Sequence, residues 1–466
     1  MGKVVCIGGG GVRTPLVVFG INECARQLSV DEVVLYDPDL ERARMIAALG
    51  RAVVEREGGS LRVRESVRLE EAVEGADFVL SSIRVGGIAA RTSDERTAIR
   101  HGYPGQETTG PAGMAMALRT VPIAIEQARI VHRLAPSAWL INFTNPAGLI
   151  TQAVLDHTGV RAVGICDTPS ELLHRIAVAL AAPPAEVRCE YIGLNHLGWV
   201  RKIELRGEDV TDRVLADDQM LAQLYPAPMF DHELIRSLRL IPTEYLYFYY
   251  SRGRALANQR AHRSTRGNEV ARLNDQLFQR LGRLFAAGDH HGALRAYTSY
   301  LNTRSGSYML LEASSENGLR KDGDTGDDPF RAANGYHRIA LDVMKALRGK
   351  EQCRLIVNVR NQGALEDLAA NDVVEVPCLI NHDGIKPELC GAFPAVVRGL
   401  VLAVKEYERA TIEAALTASK QMARKAMLLY PAIGEWEPSA TLLPELEWRV
   451  LQDSSNLLEQ RLAPEK

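Results

Sequence analysis

The chain has 466 residues, room for two or three domains with ordinary cores, and its 46% hydrophobic and 24% charged residues match a globular chain, not a disordered one. A formal net charge of −3 from 58 acidic and 55 basic residues, mixed along the sequence, gives no electrostatic footprint of a nucleic-acid or membrane-surface binder. No apolar run approaches the roughly 20 residues of a membrane span, the seven cysteines are scattered without a Cys-x-x-Cys pair, and Met1 leads directly into a strand, so a cytoplasmic protein without signal peptide or disulfide framework is expected.

Apolar stretches at 4–7, 32–36, 77–83, 138–144 and 162–166 read as strands, with helical periodicity at 39–57 and 114–134 between them. Near-continuous apolar strands alternating with helices predict an α/β fold, a Rossmann-like doubly wound parallel sheet over residues 1–166. Past that point the pattern changes. Residues 188–193 and 199–205 predict a hairpin joined by 194–198, and runs at 354–361 and 373–380 predict a second antiparallel pair. Helical patterns cover 267–284, 329–347, 393–419 and 443–462, and the Gly- and Asp-rich stretch 321–328 reads as a surface loop. Residues 167–466 are therefore expected to form an α+β domain with a helical C-terminus.

Gly8, Gly9, Gly10 and Gly11 follow the first strand. Such a run lets the backbone approach a pyrophosphate and hands it to a helix N-terminus, whose free N–H groups favour anions. Pro15 suits an early helical position, and Asp37 closes the second strand where an acidic residue can hold an adenosine ribose. The strict Gly-x-Gly-x-x-Gly spacing fails at Arg13. Together these features predict a dinucleotide site.

Cys166 ends the fifth strand at the ligand crevice of such a sheet, and His196 sits in Gly193-Leu194-Asn195-His196-Leu197-Gly198-Trp199. Each alone also reads as an ordinary buried residue. As a pair with open positions for water and substrate they would suit a catalytic metal. Tyr245, Tyr247, Tyr249 and Tyr250 crowd one segment; one of them beside a cation could serve as a base, and the sequence does not say which. Gly105-Gln106-Glu107-Thr108-Thr109-Gly110-Pro111 reads as a binding loop, Asn145 ends the fourth strand, and Arg91, Arg96 and Arg266 are candidate anion partners.

Taken together, the glycine turn, Arg84-Val85-Gly86-Gly87, the 105–111 loop, Thr144-Asn145-Pro146-Ala147, Cys166-Asp167-Thr168-Pro169, the His196 segment, Thr265-Arg266-Gly267-Asn268-Glu269-Val270 and the stretch 376–384 resemble glycoside hydrolase family 4. That family departs from the two-carboxylate rule of glycoside hydrolysis and depends on NAD. The resemblance implies Cys166 and His196 as ligands of a divalent metal, Mn²⁺ being usual, and Tyr245 as the base. It implies Asp167 as a second catalytic residue beside Tyr245, and that Arg91, Asn145 and Arg266 hold a sugar and its 6-phosphate, with Glu107 and Asn195 in the same site. It further implies hydride removal from C3, metal-assisted loss of the C2 proton, elimination at C1, addition of water and return of the hydride.

Within the family, phospho-α-glucosidases tend to carry Asp after the metal-binding cysteine and phospho-β-glucosidases Asn. Asp167 points to the α branch, whereas the 193–199 and 105–111 segments resemble the β branch. The main expectation is a 6-phospho-β-glucosidase acting as a homodimer or homotetramer, with a 6-phospho-α-glucosidase as the alternative. A different class, an NAD-dependent sugar or hydroxy-acid dehydrogenase, would release NADH in step with substrate.

Overall fold

The computed structural model describes residues 2–306, 308–313, 328–331, 335–349 and 351–446. Six strands, β1 (Gly2–Ile7), β2 (Val30–Tyr36), β3 (Arg62–Ser66), β4 (Phe78–Ser81), β5 (Trp139–Asn142) and β6 (Arg161–Gly164), form the expected parallel sheet. Val4, Val5, Val33, Val34, Val79, Ile141 and Val163 are fully buried in it, which is why these strands read as unbroken apolar runs. β3 was not expected. Its sequence, Arg-Val-Arg-Glu-Ser, alternates charge with one buried valine, because it is the outer edge of the sheet and charge there discourages further pairing.

The chain then forms the hairpin β7 (Val187–Leu194) and β8 (Leu197–Leu205), with short strands β9 (Glu208–Asp209) and β10 (Ile241–Pro242) on β8. The strands close further than expected, leaving only Asn195 and His196 in the turn. Gly193 and Gly198 permit this, since a Cβ on Gly193 would lie 2.4 Å from the Gly198 Cα.

The second antiparallel pair, β11 (Cys353–Arg360) and β12 (Val373–Asn381), does not build a separate sheet. Together with β13 (Gly384–Pro387) it continues the first one, in the order β13-β12-β11-β6-β5-β4-β1-β2-β3. The junction is antiparallel, Asn358 opposite Gly164, and a Cβ on Gly164 would sit 2.3 Å from the Thr151 hydroxyl and 2.9 Å from the Asn358 Cβ. A glycine at the end of β6 thus allows the second half of the chain to close against the first.

Helix Leu40–Arg56 starts where Asp39 accepts the Arg42 N–H, and it ends with Arg56 in the last turn, in keeping with the helix dipole. The helices expected at 114–134, 267–284 and 393–419 appear as Gly110–Leu134, Arg266–Ala286 and Ala395–Thr417. The one expected at 329–347 begins only at Tyr336 and runs to Arg348. Of the expected helix at 443–462, residues 447–462 lie outside the described residues, as does nearly all of the 321–328 loop. No helix among the described residues is long and apolar enough to cross a membrane.

Candidate active site

β1, β4, β5 and β6 all end on one side of the sheet, at Ile7, Ser81, Asn142 and Gly164, and the crevice there opens into a cavity of about 680 Å³. Gly8, Gly10 and Gly11 line its first end, while Gly9 is turned away. Gly8 adopts φ +82°, and a Cβ there would lie 2.3 Å from the Ser82 carbonyl oxygen, so the sharp exit from β1 requires glycine. The Gly8 and Gly9 N–H groups both donate to the Tyr36 carbonyl. Asp37 accepts from Gly10 N–H at 3.0 Å and from Asp39 N–H at 3.0 Å. It therefore braces the turn as well as lining the cavity, and each carboxylate oxygen keeps a second lone pair for a ribose hydroxyl. Arg13, which breaks the glycine pattern, directly precedes helix Thr14–Glu23, makes no side-chain cap there, and reaches Asp167 at 3.7 Å.

In the middle of the cavity Cys166 and His196 meet, Sγ to Nε2 at 3.4 Å, both buried. Bonds of about 2.3 Å to sulfur and 2.0–2.1 Å to nitrogen, at roughly 90–110°, would place two ligands of a first-row divalent ion such as zinc about 3.1–3.6 Å apart. The pair therefore fits a shared ion. No group of three or more His, Cys, Asp and Glu side chains gathers for a metal among the described residues.

The hydrogen bonds around His196 assign its tautomer. Gln106 Oε1 accepts the backbone N–H groups of Thr108 and Thr109 at 2.6 and 2.8 Å, which orients the amide with its oxygen inward. The same oxygen receives the Thr108 hydroxyl at 2.8 Å. Thr108 has spent its single proton, so its oxygen can only accept from His196 Nδ1, 2.9 Å away. Nδ1 thus carries the hydrogen and the Nε2 lone pair faces Cys166. Burial pushes the imidazole down to about 3, keeping it neutral, as a metal ligand must be. Burial, with Glu375 and Asp167, raises the Cys166 thiol well above its ordinary value, which a bound cation would reverse. His196 itself holds φ +61°, a costly conformation for a residue with a Cβ, and here it aims the ring.

Tyr245 stacks on His196, ring centroids 3.6 Å apart and planes within 8°. Of the four clustered tyrosines it alone lines the cavity among the described residues; Tyr247 donates to the Glu312 carbonyl and Tyr249 pairs with Tyr430. Burial, then Glu107 and Glu244, raise its phenol well above the usual value.

The far end is cationic. Arg84, Arg91, Arg266 and Arg304 line it, with Glu107 receiving Arg84 and Arg91, each at 2.6 Å. Burial alone would raise the Glu107 carboxyl, but the two guanidiniums outweigh it and hold it far below the usual range. Arg266 lines the cavity, pairs with Glu269 at 3.2 Å and donates to the Arg304 carbonyl. Burial and the neighbouring Arg304 lower it, so an anion there would be welcome. The early N–H groups of its helix are not all free for a phosphate, because Gly267 N–H goes to Glu95 at 2.7 Å. Asn145 and Asp167 also line the cavity.

Besides Gly9, two expected site residues lie elsewhere. Asn195 does not line the cavity; its side chain donates to Glu375 at 3.1 Å, behind the His196 turn. Arg96 is exposed on the outside of its helix. The sequence reading missed Arg304, Tyr308 and Glu244, all of which line the cavity. Arg304 lies in helix His290–Gly306 and Tyr308 in a turn beyond it, where nothing local marks a ligand, while Glu244 was passed over beside the tyrosines that it precedes.

Residues 3–182 match the model described as family 4 glycosyl hydrolase, and residues 191–433 the model of the family's C-terminal domain. The 6-phospho-beta-glucosidase of Thermotoga maritima is 30% identical over 445 residues, covering 95% of this chain and 97% of the relative. A phospho-alpha-glucosidase of Clostridium acetobutylicum is 25% identical over 461 residues, covering 95% and 96%. The structure of the Thermotoga maritima 6-phospho-beta glucosidase with manganese, NAD⁺ and glucose-6-phosphate matches with a TM-score of 0.78 at 28% identity, over 98% of this chain and 99% of that one.

Proposed function

The chain belongs to family 4 of the glycoside hydrolases, and from that premise we propose that it cleaves 6-phospho-β-glucosides using NAD⁺ and a divalent metal, Mn²⁺. The observation that carries the reading is that one cavity joins a glycine turn, the Cys166–His196 pair and a cluster of arginines. The higher identity to the β-glucosidase than to the α-glucosidase relative supports the anomer. Asp167 remains the feature that favours the α alternative.

NAD⁺ would supply reversible hydride acceptance at the sugar, and the metal Lewis-acid polarisation of its oxygens. The chain supplies the rest. Gly8, Gly10, Gly11 and Asp37 hold the dinucleotide, and Cys166 and His196 hold the ion, with Thr108 and Gln106 keeping the Nε2 lone pair aimed at it. Arg84, Arg91 and Arg266 receive the 6-phosphate, and Asn145 orients the ring. Tyr245, stacked on a metal ligand, takes the C2 proton; its phenol is raised by burial, so the reading needs a cation beside it to bring it near neutral pH.

A panel of 4-nitrophenyl α- and β-glucosides, with and without 6-phosphate, tests this. The expected result is nitrophenol release from the phosphorylated β-glucoside, dependent on both NAD⁺ and Mn²⁺, without accumulation of NADH. Faster release from the α-anomer or from unphosphorylated sugars would contradict the substrate class, and NADH formed in step with substrate would favour a dehydrogenase.

A further inference from the structure

Beside the base lies an acidic group that the mechanism above does not use. Glu244 directly precedes Tyr245 in the short 3₁₀ turn Glu244–Leu246, lines the same cavity and is only 8% exposed. Its described partners are hydroxyls, not cations: Thr168 Oγ1 donates to its Oε1 at 2.9 Å and the Tyr308 hydroxyl to the same atom at 3.3 Å. Tyr308 also lies 3.2 Å from the Tyr245 hydroxyl. One phenol therefore bridges the proposed base and a buried carboxyl.

We propose that Glu244 is the acid that protonates the departing glycosidic oxygen, recharged from Tyr245 through Tyr308; this rests on the glucosidase reading above. The protons and electrons balance. The C2–H bond breaks and its proton passes to the Tyr245 oxygen. The electron pair forms the C1–C2 double bond as the C1–O bond breaks, and that second pair leaves with the glycosidic oxygen. Glu244 gives this oxygen a proton and regains one from Tyr245 by way of Tyr308. One proton leaves C2, one arrives on the alcohol, and both side chains end as they began.

The environment supports the role. Burial pushes the Glu244 carboxyl up to about 7, with Asp167 adding to the rise, so a large fraction carries a proton at neutral pH. Asp167, the other carboxyl at this place, is half exposed and lies 3.7 Å from the Arg13 guanidinium, whereas Glu244 is buried among hydroxyls.

Leaving-group dependence tests the assignment. A nitrophenolate departs without help, whereas the far more basic methoxide needs a proton. E244Q keeps the shape and loses the acid. Its kcat/KM should fall roughly 10²- to 10⁴-fold on methyl 6-phospho-β-glucoside, the usual loss for an acid–base group, and at least tenfold less on the 4-nitrophenyl substrate. Mn²⁺ and NAD⁺ affinities, measured by calorimetry, should be retained. Y308F should show the same bias toward the methyl substrate and decides the question if E244Q does not fold. An active wild type with equal losses on both substrates refutes the acid. A wild type inactive on both phosphorylated glycosides refutes the underlying reading, and the proposal with it.

Discussion

Thr108→Val removes one hydroxyl and nothing else from the shell around the proposed metal. The Thr108 oxygen is the acceptor for His196 Nδ1–H at 2.9 Å, in a site where His196 is 4% exposed. Without it the buried N–H has no acceptor, a cost of about 1–3 kcal/mol. The imidazole could escape that cost only by moving its hydrogen to Nε2, which points at the Cys166 sulfur 3.4 Å away. Either route weakens the metal site. Loss of a hydrogen-bond partner of a metal-bound histidine typically costs 10- to 100-fold in metal affinity, about 1.4–2.8 kcal/mol, in line with the buried N–H figure. Mn²⁺ titration by calorimetry at fixed pH should therefore show a dissociation constant raised by that factor. NAD⁺ affinity should hold, since the glycine turn is a separate element of the fold. A variant that binds Mn²⁺ as tightly as the wild type would refute both the tautomer and the claim that His196 Nε2 holds the ion.

Cys166→Ser replaces a thiolate ligand with a neutral hydroxyl, so Mn²⁺ affinity and turnover should both collapse while NAD⁺ still binds; wild-type metal affinity in a calorimetric titration would return Cys166 to a packing role. Arg266→Ala should lower kcat/KM on the phosphorylated glycoside by about 10- to 150-fold, the worth of a charge-assisted hydrogen bond of roughly 1.5–3 kcal/mol, with little further loss on the unphosphorylated sugar. Equal losses on the two sugars would mean that Arg266 supports the fold through Glu269 and the Arg304 carbonyl and does not receive the phosphate.

The parallel core was legible because its strands are buried on both faces, as Val33, Val34 and Ile141 show, leaving a plain apolar signal. β3 escaped because an edge strand carries charge, and its Arg62, Arg64 and Glu65 hide the single buried valine. The pairing of β11 with β12 was readable from their alternation, but not their attachment to β6, which depends on the missing side chain of Gly164. In the site, Cys166 and His196 could be singled out by position, yet their meeting relies on a two-residue turn and a positive φ that spacing does not reveal. Asn195, adjacent to His196, was grouped with it and instead faces Glu375, because successive residues of a turn point different ways. The 105–111 loop was recognised by composition, but the order of its hydrogen bonds, and so the tautomer of His196, exists only in three dimensions. Tyr308 reaches the cavity from a segment with no local mark of a ligand, and only the fold brings it between Glu244 and Tyr245.

The central claim is that the glycosidic bond breaks by elimination after Tyr245 removes the C2 proton. The direct measurement is hydrolysis of the 6-phospho-β-glucoside in D₂O, with mass spectrometry and NMR of the glucose 6-phosphate released. Deuterium at C2 of the product is the result expected here, because the carbon is deprotonated and then reprotonated from solvent. Complete cleavage with no deuterium at C2 would contradict it.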